Sequence, residues 1–460
     1  IRYLDLWASS RQVPDTITEF PLFTFWLGDL HPHLLSLPLS LAAIALAAAA
    51  GREKLKFPLA VLSSILFGLT WAANPWALPP TFLAIALMLV AGDGRWRWPD
   101  REGWPRWVTA LAVGAGGWLI AAPFHLAFDP PSRSVRTVFA WTRPTDLLLF
   151  AGVLLIPAFF VVFRLMQRWG GPNGLRAQAF AAGVGALTVI DAAATGRPSM
   201  VFLCVGVAVL VAAVLEQGDD SDRPALALAA LALFLFLVPE MVYLEDGYGE
   251  KMHRMNTVFK AYFQGWVLLA AAMPVLVRLG GGSRRGRRVL LALSVAASLP
   301  HLLSVGLGAW ASPSKGLDGL AWMDEGDRLI VEELRRQGPG ISLVEAVGDA
   351  YSEYARLSSA SGVPAYLGWA NHELVWRGPG VLNETGRRQD VIHDLYSLGD
   401  PLEIVSIAQE NDIGLIAIGF LERRDYCESE LDAVREAGVE IIDCGSGGEL
   451  VVMAEKENLS

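Results

Sequence analysis

Charge is what this chain of 460 residues has least of. Asp, Glu, Lys and Arg make up 18% of it, against roughly 25% in an ordinary soluble domain, while 53% is hydrophobic and the mean hydropathy is +0.39. The shortage is local: up to about Trp310 the chain is apolar, and beyond it charges return at ordinary density. That excludes a water-soluble globule for the first 310 residues and points to lipid. Basic residues are few as well. The net charge is −10, and no basic stripe with interleaved aromatics is found, so nucleic acid is not an expected partner. Three cysteines are too few for a disulfide framework. Cys204 sits in an apolar run and reads as a small hydrophobe; Cys427 and Cys444 fall in the polar part and would pair only in an oxidising compartment. There is no Gly-x-Gly-x-x-Gly after a strand and no Walker motif, so no nucleotide cofactor is expected. The chain opens on Ile1, not Met, and we expect further helices or a targeting signal upstream.

What is present are long apolar runs. A helix needs roughly 20 apolar residues to cross the hydrocarbon, and ten stretches are candidates: about 33–50, 57–73, 77–92, 107–126, 146–164, 177–194, 199–216, 225–241, 257–278 and 289–309. Alternating spans give two sets of loops. One set carries 16 Lys and Arg in and beside it, the other 7 in longer loops. The positive-inside rule makes the first set cytoplasmic. Residues 1–32 and everything after Trp310 are then expected outside. So are the polar segments Glu19–His33, Asn74–Trp76, Asp129–Asp146 and Glu240–Lys260.

The stretch EFPLFTFWLGDLHPH (19–33) packs two acids, two histidines and two prolines among aromatics just before the first run. Ionisable groups at such a boundary are costly and usually functional. Asp29 and Glu19 suit a general base, and His31 and His33 with Asp29 suit a divalent ion; as a purely structural feature, Asp29 would cap the next helix. At the ninth span, His253, Arg254, Asn256 and Lys260 suit an anionic phosphate, with Arg able to grip it in a bidentate way and the helix N-terminus adding donors. The structural alternative is interfacial anchoring by snorkelling bases. Asn74 and Trp76 form a turn between runs and, with Glu245, are further candidate substrate contacts.

Beyond about Ser312 the pattern changes to helices alternating with short β-rich runs. Helices are expected over 324–337, 386–396, 401–411 and 428–437, and strands over 341–347, 413–419, 440–444 and 449–454. That spacing predicts an α/β sandwich of about 145 residues, large enough for its own core. The expected division is 1–310, a polytopic membrane domain, and 311–460, a soluble extracytoplasmic domain. Trp369, His372 and Glu373 in this part have the composition of a sugar-contacting segment; a surface loop over the sheet is the plainer reading.

Five motifs carry a resemblance: EFPLFTFWLGDLHPH (19–33), NPWALP (74–79), HRMNTVFKAYFQGW (253–266), EAVGDAYSEYARLS (345–358) and LGWANHELVWRG (367–378). They resemble the uncharacterised prokaryotic membrane proteins of the Chlor/Arch YYY-domain family, although the tyrosine triplet of that name is absent. That family is in turn similar to the GT-C glycosyltransferases, multi-pass enzymes using polyprenyl-phosphate sugars, in which an acid of the first outer loop is the base or a metal ligand. The resemblance implies a GT-C-like membrane domain in the cell membrane, with Asp29 or Glu19 as base and Mg or Mn as the metal. It implies a polyprenyl-phosphate sugar as donor and a glycan, lipid or protein as acceptor. Two other functions compete with it: a transporter or flippase of lipid-linked glycans, which should carry polar residues deep inside several spans, and a non-catalytic envelope assembly protein, for which ten spans exceed any anchor.

Overall fold

Proline marks where many helices of the first 310 residues begin. Pro21, Pro32, Pro144 and Pro198 each open a helix, Pro75 opens a short 3-10 turn, and Pro224 lies in the first turn of another. Its fixed φ suits the first turn, where its missing N–H leaves no bond unmade. The computed structural model describes residues 6–27, 31–52, 57–91, 106–127, 134–169, 171–216, 222–246, 248–280, 283–311, 318–338, 340–350 and 352–453. They fall into two compact units, Ile1–Trp310 and Ala311–Ser460.

In the first unit each of the ten apolar runs is helical: Pro32–Arg52, Phe57–Ala73, Leu78–Ala91, Arg106–Ile120, Pro144–Arg168, Gly171–Thr195, Pro198–Glu216, Arg223–Leu237, Met255–Gly280 and Arg284–Ala311. Six helices among the described residues are long and apolar enough to cross a membrane, where ten crossings were expected: Pro32–Ala50, Pro144–Arg168, Gly174–Thr195, Pro198–Leu215, Arg223–Glu240 and Met255–Gly280. Phe57–Ala73, Leu78–Ala91 and Arg106–Ile120 have 17, 14 and 15 residues. At about 1.5 Å per residue their described parts are about 21–26 Å long, against roughly 30 Å of hydrocarbon. The run expected over 107–126 breaks at Ala121, because Pro123 starts a new four-residue helix, Ala122–His125.

Arg223–Leu237 is the centre of this unit. Every residue but Phe234 is buried, and it packs against Met255–Gly280, Pro198–Glu216 and Leu78–Ala91. A helix apolar on all sides belongs in such a position. Prolines inside Pro32–Arg52, Pro144–Arg168 and Met255–Gly280 (Pro38, Pro157, Pro274) are of the kind tolerated where neighbouring helices satisfy the freed carbonyls. A two-stranded antiparallel ribbon, β1 (Val135–Thr137) with β2 (Val242–Leu244), joins two of the connections.

The second unit has a four-stranded sheet in the order β3-β4-β6-β5: β3 (Leu343–Val344) is parallel to β4 (Leu415–Ile418), and β6 (Gly448–Val452) is antiparallel to β4 and to β5 (Glu440–Gly445). Strand β4 is buried throughout, and its period of two sorts its side chains. Ile416 and Ile418 join a core with Ile392, Tyr396, Ile404 and Val434. Leu415 and Ala417 join another with Ile330, Leu334 and Leu357. Helix Glu325–Gln337 serves the second core; Leu382–Ser397, Pro401–Glu410 and Glu428–Ala437 serve the first. Strand β3 is shorter than the 341–347 expected, because Glu345 leaves the ladder to enter a buried ionic cluster. Arg356 pairs there with Asp327 and Glu422 at 2.5 and 2.9 Å, with Glu345 at 3.9 Å. The cysteines Cys204, Cys427 and Cys444 are free thiols.

Candidate functional site

Connections at one end of the apolar helices bring the polar residues together. Helix Pro21–Leu27 turns the chain so that Glu19, ahead of it, meets His33 in the first turn of Pro32–Arg52. Glu19 Oε2 lies 3.3 Å from His33 Nε2, and both side chains are buried. The Thr24 hydroxyl lies 3.4 Å from the same carboxylate oxygen and 3.2 Å from the same ring nitrogen. The His33 ring is gripped edge-on by Phe259 and Phe263, at centroid distances of 4.9 and 4.7 Å, and its Nδ1 is buried with no hydrogen-bond partner among the described residues. His31 lies beside it, ring centroids 4.7 Å apart. Asp29 lies outside the described residues.

His33 also lines a narrow crevice with Asn74, Trp76, Lys260, Phe263 and Gln264, too tight to admit a water molecule. Asn74 is rigidly held: its side chain accepts from Trp76 N at 3.2 Å, capping the 3-10 turn, and donates to Ser36 Oγ at 3.3 Å. Lys260 extends over the Phe259 ring, its Nζ 4.0 Å from the centroid. Among the described residues it has no hydrogen-bond or ion-pair partner. Sequence reasoning named Glu19, His33, Asn74, Trp76 and Lys260 separately, and the fold brings them to one place. It did not name Thr24 or Gln264.

Arg254 lies elsewhere. It is 4% exposed and pairs with the fully buried Glu240 at 3.1 Å. Glu240 also accepts from Thr142 N at 2.8 Å, Thr142 Oγ1 at 2.7 Å and Tyr262 OH at 2.7 Å. Arg254 further donates to Pro239 O and Thr142 Oγ1, both at 3.2 Å, and Ser199 Oγ donates to Thr142 O at 2.5 Å. This network ties the starts of Pro144–Arg168, Pro198–Glu216 and Met255–Gly280 to the end of Arg223–Leu237. It leaves Arg254 neutralised by an acid of the protein itself. Glu240 had its own signal, a lone acid closing an apolar run.

The other residues of that segment serve the ribbon. His253 is buried, stacked on Phe139 at 3.8 Å and edge-on to Tyr243 at 4.7 Å. Its Nδ1 contacts Glu250 O at 2.9 Å, and its Nε2 has no partner among the described residues. Burial first, then the neighbouring Arg254 charge, hold its pKa below the ordinary histidine value. Asn256 donates to Asp246 at 2.9 Å, whose carboxyl burial raises above its usual range. Glu245 is more open and pairs with Arg136 at 2.8 Å; hydrogen bonding from Ser134 and that arginine keep it below the usual carboxylate range.

In the second unit Trp369 precedes helix Ala370–Arg377, where a surface loop was the plainer expectation. Its Nε1 donates to Tyr354 O at 2.8 Å, His372 meets its ring edge-on at 5.8 Å, and Glu373 pairs with Arg377 at 2.9 Å. Among the described residues no group of three or more His, Cys, Asp or Glu side chains could hold a metal ion. The expected set of His31, His33 and Asp29 includes one residue outside them.

Helices long enough to cross a membrane, with ionisable groups gathered where their ends meet, define a multi-pass membrane protein. The chain belongs to a family of such proteins: residues 2–269 match the family described as "Uncharacterized membrane protein (DUF2298)", in agreement with the resemblance carried by its motifs. Neither the curated proteins nor the solved structures hold a match to it.

Proposed function

We propose that this protein transfers a sugar from a polyprenyl-phosphate donor to an acceptor hydroxyl at the outer face of the membrane. The observation that carries this reading is the buried Glu19–His33 pair, whose His33 lines one crevice with Lys260, a cation with no counter-ion contact among the described residues. In the tautomer with the proton on Nε2, His33 donates to Glu19 and its unpartnered Nδ1 is a base. The acceptor oxygen attacks the anomeric carbon, its proton passes to that base, and the carbon–oxygen bond to phosphate breaks with its electron pair on phosphate. Lys260 meets the charge that develops there. Base catalysis contributes about 10²–10⁴-fold, and fixed positive charge at the leaving group much of the remainder. Trp76, half-buried at the crevice, must swing aside to admit a hydroxyl. Asp29 is the other candidate base in the same loop, and with His31 and His33 it would form the place for Mg or Mn. The division of Lys and Arg between the loops supports an outer-face site and an extracytoplasmic second unit, where Trp369, His372 and Glu373 would meet the acceptor.

The test uses the protein in lipid nanodiscs with radiolabelled polyprenyl-phosphate hexose, following free lipid phosphate and transferred sugar. Wild type should turn over, and Glu19→Gln, His33→Gln or Lys260→Met should lower the rate by 10²-fold or more. Asp29→Asn decides between the two bases. Wild type that binds the lipid but releases no phosphate with any acceptor pool refutes transfer. If it then moves labelled lipid across proteoliposomes, the same charges line a transport path.

A further inference from the structure

We infer that the second unit carries a binding site for a neutral hexose, in a pocket of about 250 Å3 lined by Asp324, Phe420, Arg423, Arg424, Ser446 and Gly447. Its position is where an open sheet with parallel strands takes ligands, beyond the carboxyl end of a strand: Phe420 follows β4 directly after Gly419. Its size is telling. Drug-sized ligands occupy pockets of about 300–1,000 Å3, so this one suits a single sugar ring, not a lipid chain.

The lining decides the ligand class. Phe420 is 50% exposed, a large apolar face kept at the pocket wall, which suits the C–H face of a pyranose. Both arginines are already neutralised: Arg423 by Glu449 at 2.8 Å, and Arg424 by Asp425 at 2.8 Å. An anion would have to compete with carboxylates in place, whereas hydroxyl groups need only spare donors and acceptors. These exist. Asp324 uses Oδ1 to cap Gly326 N at 2.9 Å, leaving Oδ2 to accept, and among the described residues the Ser446 hydroxyl makes no hydrogen bond. The walls are stiff. A Cβ on Gly326 would lie 2.7 Å from Ser446 O, so the β5–β6 turn seats directly on the first turn of Glu325–Gln337. Within that turn Gly445, Ser446 and Gly447 all have positive φ, a costly state for Ser446 of the kind that collects at binding sites.

Through Arg424 the pocket wall is tied by hydrogen bonds to the segment that carried a sugar-like composition. Arg424 donates to Tyr354 OH at 3.0 Å, and Tyr354 O accepts from Trp369 at 2.8 Å. The site deepens the transfer reading by giving its acceptor a place, but the test reads binding alone, so either can fail without the other.

The full chain in nanodiscs is mixed with the methyl glycosides of glucose, galactose and mannose, and saturation transfer from aromatic protons to the sugar ring is recorded. At least one glycoside should respond. Phe420→Ala should weaken its binding 10-fold or more with an unchanged melting profile, since the side chain is half in water, and Phe420→Trp should retain it. No response from any glycoside, or equal binding by Phe420→Ala, overturns the site. So does inorganic phosphate that displaces the sugar, because the pocket would then be an anion site.

Discussion

Arg254→Met should be among the most damaging single changes in the first unit, and the structure gives the size. Glu240 is fully buried and Arg254 is 4% exposed, so the substitution leaves a carboxylate among apolar helices with no cation. Removing one partner of a buried pair costs about 3–5 kcal/mol. Glu240→Gln in the same chain removes the stranded charge. The amide oxygen can keep two of the bonds now made to Oε1, but its NH2 group faces Thr142 N–H, one lost bond worth about 1–3 kcal/mol. The double variant should therefore recover about 2 kcal/mol over Arg254→Met alone, roughly 30-fold in an equilibrium or rate constant. Unfolding of such a protein is followed as a rate: the half-time of the monodisperse folded form in nanodiscs at fixed temperature. If Arg254→Met lies within about 5-fold of wild type, or the double variant decays as fast as the single one, the pair does not hold the helix ends together. The experiment also separates structure from ligand binding. A double variant that regains both half-time and turnover makes Arg254 a strut; one that regains half-time alone makes it a contact of the donor.

Other perturbations follow from the same reasoning. His253 has a folded pKa below its unfolded value of about 6.5, so the unfolded form binds more protons. Its contribution to stability should be full above about pH 6.5 and lost as pH falls through the folded value, read as faster hydrogen exchange in β1 and β2; His253→Phe should flatten that dependence. Arg356→Met would leave Asp327, Glu345 and Glu422 buried without a cation and should destabilise the second unit by about 3–5 kcal/mol, seen as proteolysis of residues 318–453 with the membrane unit intact. Asn74→Ala removes the cap on Trp76 N and the bond to Ser36; it should cost about 1 kcal/mol and raise KM more than it lowers kcat, since it frees the crevice wall without touching the base.

Hydropathy showed the helices because burial in lipid or protein is a local property of each run. It could not show how many cross, because a 14-residue helix and a 26-residue helix have the same composition and differ only in reach. In the second unit the short apolar run at Leu415–Ile418 and the amphipathic Glu325–Gln337 were plain in sequence. The buried cluster around Arg356 was not, since its acids come from positions 327, 345 and 422. Site residues were legible as types and not as partners. Glu19 and His33 are fourteen positions apart with a helix between them, and no spacing rule joins them.

The basic segment at the ninth span shows how a linear reading goes astray. His253, Arg254, Asn256 and Lys260 read as one cationic patch, but six residues of helix are about 1.7 turns. Arg254 and Lys260 therefore point in different directions, one to Glu240 and one to the crevice beside His33. The burial of Arg254 is what makes Lys260 informative. Charges that hold the helix ends together find their counter-ions inside the protein, and the network around Glu240 does so fully. Lys260, at the same end of the same helix, makes no ion-pair contact among the described residues, and Glu19 is the acid whose field reaches it. Glu19 is already engaged by His33, so an anionic ligand in the crevice that Lys260 shares with His33 would add the direct contact that Glu19 does not make.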